Sequence, residues 1–422
     1  MHSKIRLFIA LILALLLAFA GCAENNGQAS PTETAAPTQT DKTEAPMPEQ
    51  TEPNEPTVNV PTAQPSEAPG DAPEIAVTAI NVGYGDAILV QLGEQNYLID
   101  TGDKKAGLSL LRALAALGVQ RLDGVFLTHI HSDHVGGFAT AASRYEIGAV
   151  YAASITQDKG KVDKLAEKAG LPVTRLSAGD TVATDSGAVF EVLGPIAFNA
   201  DDDNDNSLVL RLRAGGLTWL FTGDMQFDEE NSLMNAGVDL KADVLKVGNH
   251  GNPDATSDAF GKAALPLAAV ISTSTAEDND SANPRVLAAL RNADIYVTQN
   301  FTLGVKLAAR DGELTVTDVA ADAAEASINL DIDTHAQTAT LSADTDVDLS
   351  GWMIWSEKGG ELFVFPQGVT LKAGVPLTVV SRGAGAGDFV WDEKKVWSDK
   401  AGEAGVLVSS SGAMVARKLI QQ

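Results

Sequence analysis

Three of the chain's six histidines fall within residues 129–134, in the stretch FLTHIHSDHVGG, together with Asp133. Imidazole and carboxylate are the donors that zinc and manganese accept. His129 and His131 stand two apart at the end of an apolar run, so on an extended backbone they turn to the same side. Asp133 and His134 follow on the turn. The pattern presents two pairs of donors to two adjacent points in space. The chemistry it suits is hydrolysis by water acidified on one or two divalent ions, zinc or manganese. Histidines merely satisfied in a core or on a surface are the alternative, and they leave the spacing unexplained.

Such donors need rigid supports. Asp100 follows the apolar run YLI and Asp224 follows TWLF, which puts both carboxylates at strand ends near His129. Read alone, Asp100 before Thr-Gly is also a turn former, and Asp224 a helix N-cap. EIAVTAINV, DAILVQL, QNYLID and LDGVFLTH read as strands, and KAGLSLLRALAALGV as a helix ending at Gly118. SLVLRLRAGGLTWLFTGD reads as a hairpin turning at Gly215 and Gly216. Strands and helices alternate to about residue 320, the pattern of sheets flanked by helices. After the join DVAADAAEAS the helical signal vanishes. Residues 325–422 read as short strands carrying four of the five tryptophans, a small all-β sandwich.

The H-x-H-x-D-H motif at a strand end resembles the hallmark of the metallo-β-lactamase superfamily, over residues 75–320. INVGYGDAILVQ, YLIDTG, GVFLTHIHSDHVGG, NSLVLRL, LFTGD and VLKVGNHG, in that order, resemble more specifically the metallo-hydrolase domain of ComEC competence proteins. The resemblance implies a four-layer αββα fold with the metal site at one sheet edge. It implies His129, His131, Asp133, His134, Asp224 and His250 as metal ligands, Asp224 bridging two ions and His250 lying distal. It sets Asp133 and Asp100 among the catalytic residues, Asp100 as the buried acid that orients the ligand loop. Asn206, Ser207 and Lys246 are candidate substrate contacts. A solvated strand-end lysine is the other reading of Lys246.

The chain also departs from that pattern. Asn249 stands where relatives carry the first His of His-His-Gly, and Asn283 precedes Pro284 where they carry His. No histidine lies between His134 and His250. Asn is a poorer metal donor than imidazole, so the expectation is a weakened ion position or, at the extreme, a decayed site. The acidic run DDDNDN at residues 201–206 lacks the Gly and distal Glu of an EF-hand and reads as a solvated loop. DTDVDLSGW, FPQGVTLKAG and GVLVSSSGAMV resemble the lamin-tail domain, an immunoglobulin-like sandwich in which Trp352, Trp391 and Trp397 are core residues.

Residues 1–22 carry Lys4 and Arg6, then an apolar run ending in LAFAGC. This reads as a secretory signal resembling a bacterial lipobox, with Cys22 lipidated; an ordinary signal peptide or uncleaved anchor is the alternative. Cys22 is the single cysteine, which rules out an intramolecular disulfide framework. Residues 23–74 hold too few aliphatic groups to offset their ordering entropy, and read as a disordered tether of ~40 Å mean reach. A net charge of −26 excludes a broad basic face for nucleic acid, so DNA would be engaged transiently at a local site. The expectation is an extracytoplasmic, lipid-anchored, metal-dependent phosphodiesterase with nucleic acid as leading substrate. A phosphorylcholine esterase and an envelope-binding protein, its β-domain gripping an envelope polymer, are the competing readings.

Overall fold

The computed structural model describes residues 75–323, 326–400 and 402–420. The leader, Cys22 and the tether lie outside the described residues. From residue 75 the β-branched runs pair into two mixed sheets. The first has eight strands in the order Glu313–Val319, Gly304–Arg310, Ile75–Ile80, Ile88–Leu92, Gln95–Ile99, Gly124–Leu127, Val150–Ala153, Val173–Leu176. The second has seven, in the order Asp294–Val297, Ala268–Ile271, Val244–Lys246, Leu217–Phe221, Val209–Ala214, Val189–Gly194, Thr181–Ala183. The hairpin anticipated at Gly215 and Gly216 forms, pairing Ala214 with Leu217 and Leu210 with Phe221. Both glycines take positive φ, 64° and 78°, as a two-residue hairpin loop requires.

The sheets face each other across a core of Val77, Val90, Ile99, Phe126, Leu210, Leu212, Trp219 and Phe221. The helices Gly107–Ala116 and Phe138–Arg144 cover the outer face of the first sheet through Leu110, Leu111, Leu114 and Phe138. Phe227–Asn235, Asp258–Ala264 and Pro284–Ala289 cover the second through Leu233, Phe260 and Val286. The expected four-layer αββα arrangement is therefore present.

Each sheet is antiparallel on one side and parallel on the other, and the parallel halves matter for function. Gln95–Ile99 pairs in parallel with Gly124–Leu127, and Leu217–Phe221 with Val244–Lys246. Asp100, His129, Asp224 and His250 all follow the carboxyl ends of these four strands. Those ends are where open α/β sheets leave a crevice for ligands.

Beyond residue 327 the chain forms two further four-stranded sheets. One holds Ile328–Asp333, Thr338–Ala343, Leu377–Ser381 and Phe389–Trp391; the other Leu362–Val364, Met353–Ser356, Ala404–Val408 and Met414–Leu419. They enclose Ile354, Phe365, Leu407 and the anticipated Trp352, Trp391 and Trp397. Successive residues of a strand point to opposite faces. Met353, Trp355, Val406 and Val408 therefore face the other way and join the core beneath the helices Gly107–Ala116 and Phe138–Arg144. Trp355 comes so close to Gly107 that a β-carbon there would lie 2.9 Å from the indole.

Candidate metal centre

The loop after Gly124–Leu127 is folded by one carboxylate. Asp100 accepts from the Thr128 N–H at 2.8 Å, from the Thr128 hydroxyl at 2.6 Å and from His134 Nδ1 at 2.8 Å. With Nδ1 committed to Asp100, His134 directs Nε2 into the centre. His250 is aimed likewise: its Nδ1 donates to the Ser272 carbonyl at 2.9 Å. Both supports come from strand ends. Asp100 and His250 themselves have left-handed backbone, φ 58° and 54°, a conformation non-glycine residues hold only where the surroundings impose it. Gly223 at φ 51° lets the next residue, Asp224, approach: a β-carbon there would meet Ser207 at 2.8 Å.

These elements bring Asp133, His134, Asp224 and His250 together. His134 Nε2 lies 2.9 Å from Asp224 Oδ2, 3.3 Å from His250 Nε2 and 3.5 Å from Asp133 Oδ2. His250 Nε2 lies 3.1 Å from Asp224 Oδ2 and 3.2 Å from Asp133 Oδ2. Four donors at ~2.0–2.2 Å from a tetrahedral ion stand ~3.3–3.6 Å apart along each edge, so the residues present fit a divalent metal. His129 is beside them, Nε2 3.8 Å from Asp224 Oδ2, buried and without a hydrogen-bond partner. Its Nδ1 contacts Thr128 Oγ1 at 3.1 Å and Ser207 Oγ at 3.2 Å. His131 is exposed, its ring 4.6 Å from that of His129.

The candidate substrate contacts sit differently from the expectation. Lys246 is buried: its ammonium pairs with Asp86, donates to the Gly223 carbonyl at 3.0 Å and lies 3.8 Å from Asp224 Oδ1. It braces the Asp224 turn instead of facing solvent. Asn206 is turned into the acidic loop, accepting from Asn199 N–H at 2.9 Å and donating to Asp203 at 3.0 Å. Ser207 accepts from the Asp224 N–H at 3.1 Å. Asn249 takes left-handed backbone, which Asn tolerates well, and donates to Asp254 at 2.9 Å. Asn283 accepts from the Arg285 N–H at 3.0 Å, capping the helix Pro284–Ala289. Both departures from the family pattern thus serve the backbone.

Two neighbours were not anticipated. Asp86, in GYGD, looks like a turn residue, but it lies buried 3.7 Å from His250 Nδ1 and 3.9 Å from His134 Nδ1. Tyr84, half-buried, leans against His250 with ring centroids 4.3 Å apart. The aromatic ring in a glycine-flanked turn was the signal available for it.

Electrostatics follow from burial set against carboxylates. Burial, with His134 alongside, holds His129 well below the imidazole range, so it is a neutral donor. Burial opposes charge on His134 and His250 too, but Asp224 and Asp100 hold His134 well above that range, and Asp224 with Asp133 raises His250 to about 9. Asp224 and Asp133, despite burial, are held well below the carboxylate range by those two histidines. The group keeps positive charge at its middle, where protons and a divalent ion compete for the same nitrogens. Burial, then the charges of Asp224 and Asp133, push the Tyr84 phenol up, keeping it neutral.

Residues 80–275 match the family described as the metallo-beta-lactamase superfamily. The ComE operon protein 3 of Bacillus subtilis (strain 168) is 30% identical over 264 residues, covering 57% of this chain and 34% of that protein. The competence protein ComA of Neisseria gonorrhoeae is 36% identical over 202 residues, covering 47% of this chain and 27% of that protein. The chain thus spans about a third of the length of these relatives. Among solved structures, the metallo-beta-lactamase fold protein YhfI of Bacillus subtilis aligns with a TM-score of 0.40 at 17% identity, over 57% of this chain and 99% of that one. The histidine turn, the strand-end carboxylates and most of the paired sheets lie inside the matched residues, and this part of the chain belongs to the metallo-beta-lactamase superfamily.

Proposed function

We propose that the chain is a metal-dependent phosphodiesterase with nucleic acid as its leading substrate, held at an extracytoplasmic membrane face through lipid on Cys22. The observation that carries the hydrolase reading is the four-donor group with both imidazole Nε2 atoms aimed inward. Its integrity also argues against a decayed site. Asp133, His134, Asp224 and His250, with His129 and His131, would hold zinc or manganese. When bound, such ions supply Lewis acidity, acidifying water and offsetting charge on a phosphoryl oxygen. Asp100 and Ser272 fix the two imidazoles, and Lys246 steadies the turn that carries Asp224. Of the four central donors Asp133 has the most exposed side chain, 18%, so its carboxylate can hold an incoming water by hydrogen bond. His131 and the neutral Tyr84 flank that opening.

The preference for nucleic acid rests on the similarity to a protein named for competence, ComA, and to the ComE operon protein 3. Among the described residues no helix is long and apolar enough to cross a membrane; the proposed membrane attachment is through Cys22, which lies outside them. The test is a substrate panel with manganese or zinc: single- and double-stranded DNA, bis-p-nitrophenyl phosphate, p-nitrophenyl phosphorylcholine and a chromogenic cephalosporin. Cleavage of DNA and the bis-aryl diester is expected, reduced at least ~100-fold in His134→Ala. Turnover of the cephalosporin alone would refute the reading. Preference for the choline ester would move the substrate to the envelope.

A further inference from the structure

We propose that Lys105 takes a neighbouring phosphate of the substrate in exchange for the carboxylate of Glu277, so that the centre favours a nucleic-acid strand over an isolated diester. This rests on the phosphodiesterase reading of the same centre.

Lys105 is tied to the histidine turn through the backbone. The Thr101 N–H donates to the His134 carbonyl at 2.7 Å, and the Asp86 N–H to the Asp133 carbonyl at 3.1 Å. The Gly102 N–H donates to the Asp86 carbonyl at 2.7 Å, and the Gly137 N–H to the Gly102 carbonyl at 2.9 Å. The turns at residues 83–86, 100–105 and 133–137 therefore form one piece. The Lys105 N–H is fixed in turn by the Asp103 carboxylate at 2.9 Å. From there its side chain, 66% exposed, reaches Glu277 at 2.6 Å, 172 residues away in the chain. Glu277 leans over Gly83 so closely that a β-carbon there would strike its carboxylate. The next residue is Tyr84, so the ion pair lies on the side of the opening that Tyr84 flanks.

The pair is not what holds the Glu277 loop. Asn252 Nδ2 donates to Asp278 Oδ2 at 3.1 Å, Ser281 Oγ to the Asp278 carbonyl at 2.7 Å, and the Asn283 N–H to the Gly251 carbonyl at 2.9 Å. An ion pair as exposed as Lys105–Glu277 adds little to stability. What it does is keep a cation at the opening among acids. Asp278 and Asp280 follow Glu277 in the loop. The Glu277 hydrogen bond, against slight burial, holds the Lys105 ammonium above the usual lysine range, and the charges of Asp103 and Asp133 add to it. Its neighbours face elsewhere. Lys246 is buried and paired with Asp86. Lys104 turns toward the C-terminal sheets, where a β-carbon on Gly360 would lie 3.6 Å from its Cε. A strand whose reacting phosphate sits in the centre can offer Lys105 the phosphate next to it, and a charge-assisted bond replaces the one given up. An isolated diester has no second anion to offer, so Glu277 stays in place.

The test uses the full chain, solubilised in detergent and loaded with manganese. Binding of a fluorescent phosphorothioate oligodeoxynucleotide, which resists cleavage, is read by anisotropy across a salt series. Lys105→Ala should weaken binding at least ~3-fold and flatten the slope of log K against log salt by ~0.7, one phosphate contact on a single strand. Lys105→Arg should restore both, because it keeps the charge. Glu277→Gln should tighten binding at least ~3-fold, since it frees the lysine. In turnover, Lys105→Ala should raise KM for an oligodeoxynucleotide at least ~3-fold more than KM for bis-p-nitrophenyl phosphate. A wild-type chain that fails to bind the strand would overturn the proposal. So would unchanged affinity and slope in Lys105→Ala, weaker binding in Glu277→Gln, or an equal rise in KM for both substrates. If diesters are still cleaved in those cases, the phosphodiesterase reading stands without it. Binding that depends on Lys105 with neither diester cleaved supports the phosphate contact and counts against the phosphodiesterase reading alone.

Discussion

His134 and His250, 116 residues apart in the chain, meet Nε2 to Nε2 at 3.3 Å. Both Nδ1 atoms are spoken for, one by Asp100 and one by the Ser272 carbonyl. Two inward lone pairs at that separation repel unless a cation lies between them. The protein has therefore built a place for positive charge, and proton or metal are its two occupants.

Asp100 is the part of that arrangement most sharply testable as a positioning residue. Asp100→Asn keeps the shape but offers an amide to donors on every side. Metal affinity should fall ~10–100-fold, read by competition with a chromophoric chelator. Unchanged affinity in the folded variant would remove Asp100 from the site's machinery.

The Asp86–Lys246 pair is buried on both sides. Lys246→Met strips the buried Asp86 of its nearest cation and should cost ~3–5 kcal/mol in urea unfolding. Lys246→Met with Asp86→Leu should recover at least half of that loss. A double variant no more stable than the single would show that packing, not charge, is what Lys246 contributes.

Glu229, buried and near Asp205, has its pKa pushed up to about 7 from 4.5, by burial and then by that neighbour, although it accepts from the Ile196 N–H. Between pH 4.5 and 7 the folded state therefore holds more proton at Glu229 than the unfolded chain does. Its contribution to stability falls as pH rises through that window. Glu229→Gln keeps the acceptor and removes the titration. Relative to wild type it should gain of order 2 kcal/mol between pH 4.5 and pH 8, after allowing for screening. Parallel stability curves across that range would contradict this.

Trp355 lies where two cores meet. Trp355→Ala should cost ~3–5 kcal/mol. Separating the chain at the join DVAADAAEAS should give a 325–422 piece that unfolds cooperatively around Trp397 but self-associates through Met353, Trp355, Val406 and Val408. Circular dichroism and sedimentation decide both points.

Cys22 is tested by fractionation. Cys22→Ser should leave the membrane fraction or persist as an uncleaved precursor. Unchanged size and partitioning would overturn lipid attachment.

Much of this centre was legible because short-range pattern carries it. His129, His131, Asp133 and His134 are one turn, and Asp100 and Asp224 each end an apolar strand. The Gly215–Gly216 hairpin was legible for the same reason. Asp86 and Lys246 were not, because each looks ordinary in its own segment and they meet only when the two sheets face each other. Asn206 was misread because its partner Asn199 lies across a loop that no periodicity describes. The helix Phe227–Asn235, FDEENSLMN, went unread since its apolar face is only a few residues wide. For Trp352 and Trp355 the alternation predicts opposite faces, but nothing in it says that the second face finds a helix.

The contact between Trp355 and Gly107 gives the C-terminal sheets a mechanical standing. Gly107 opens the helix that begins seven residues after Asp100 (107 − 100), with only the turn at Lys104–Ala106 between. A polymer pulling on those sheets would load a lever whose short arm ends at the acid that aims His134.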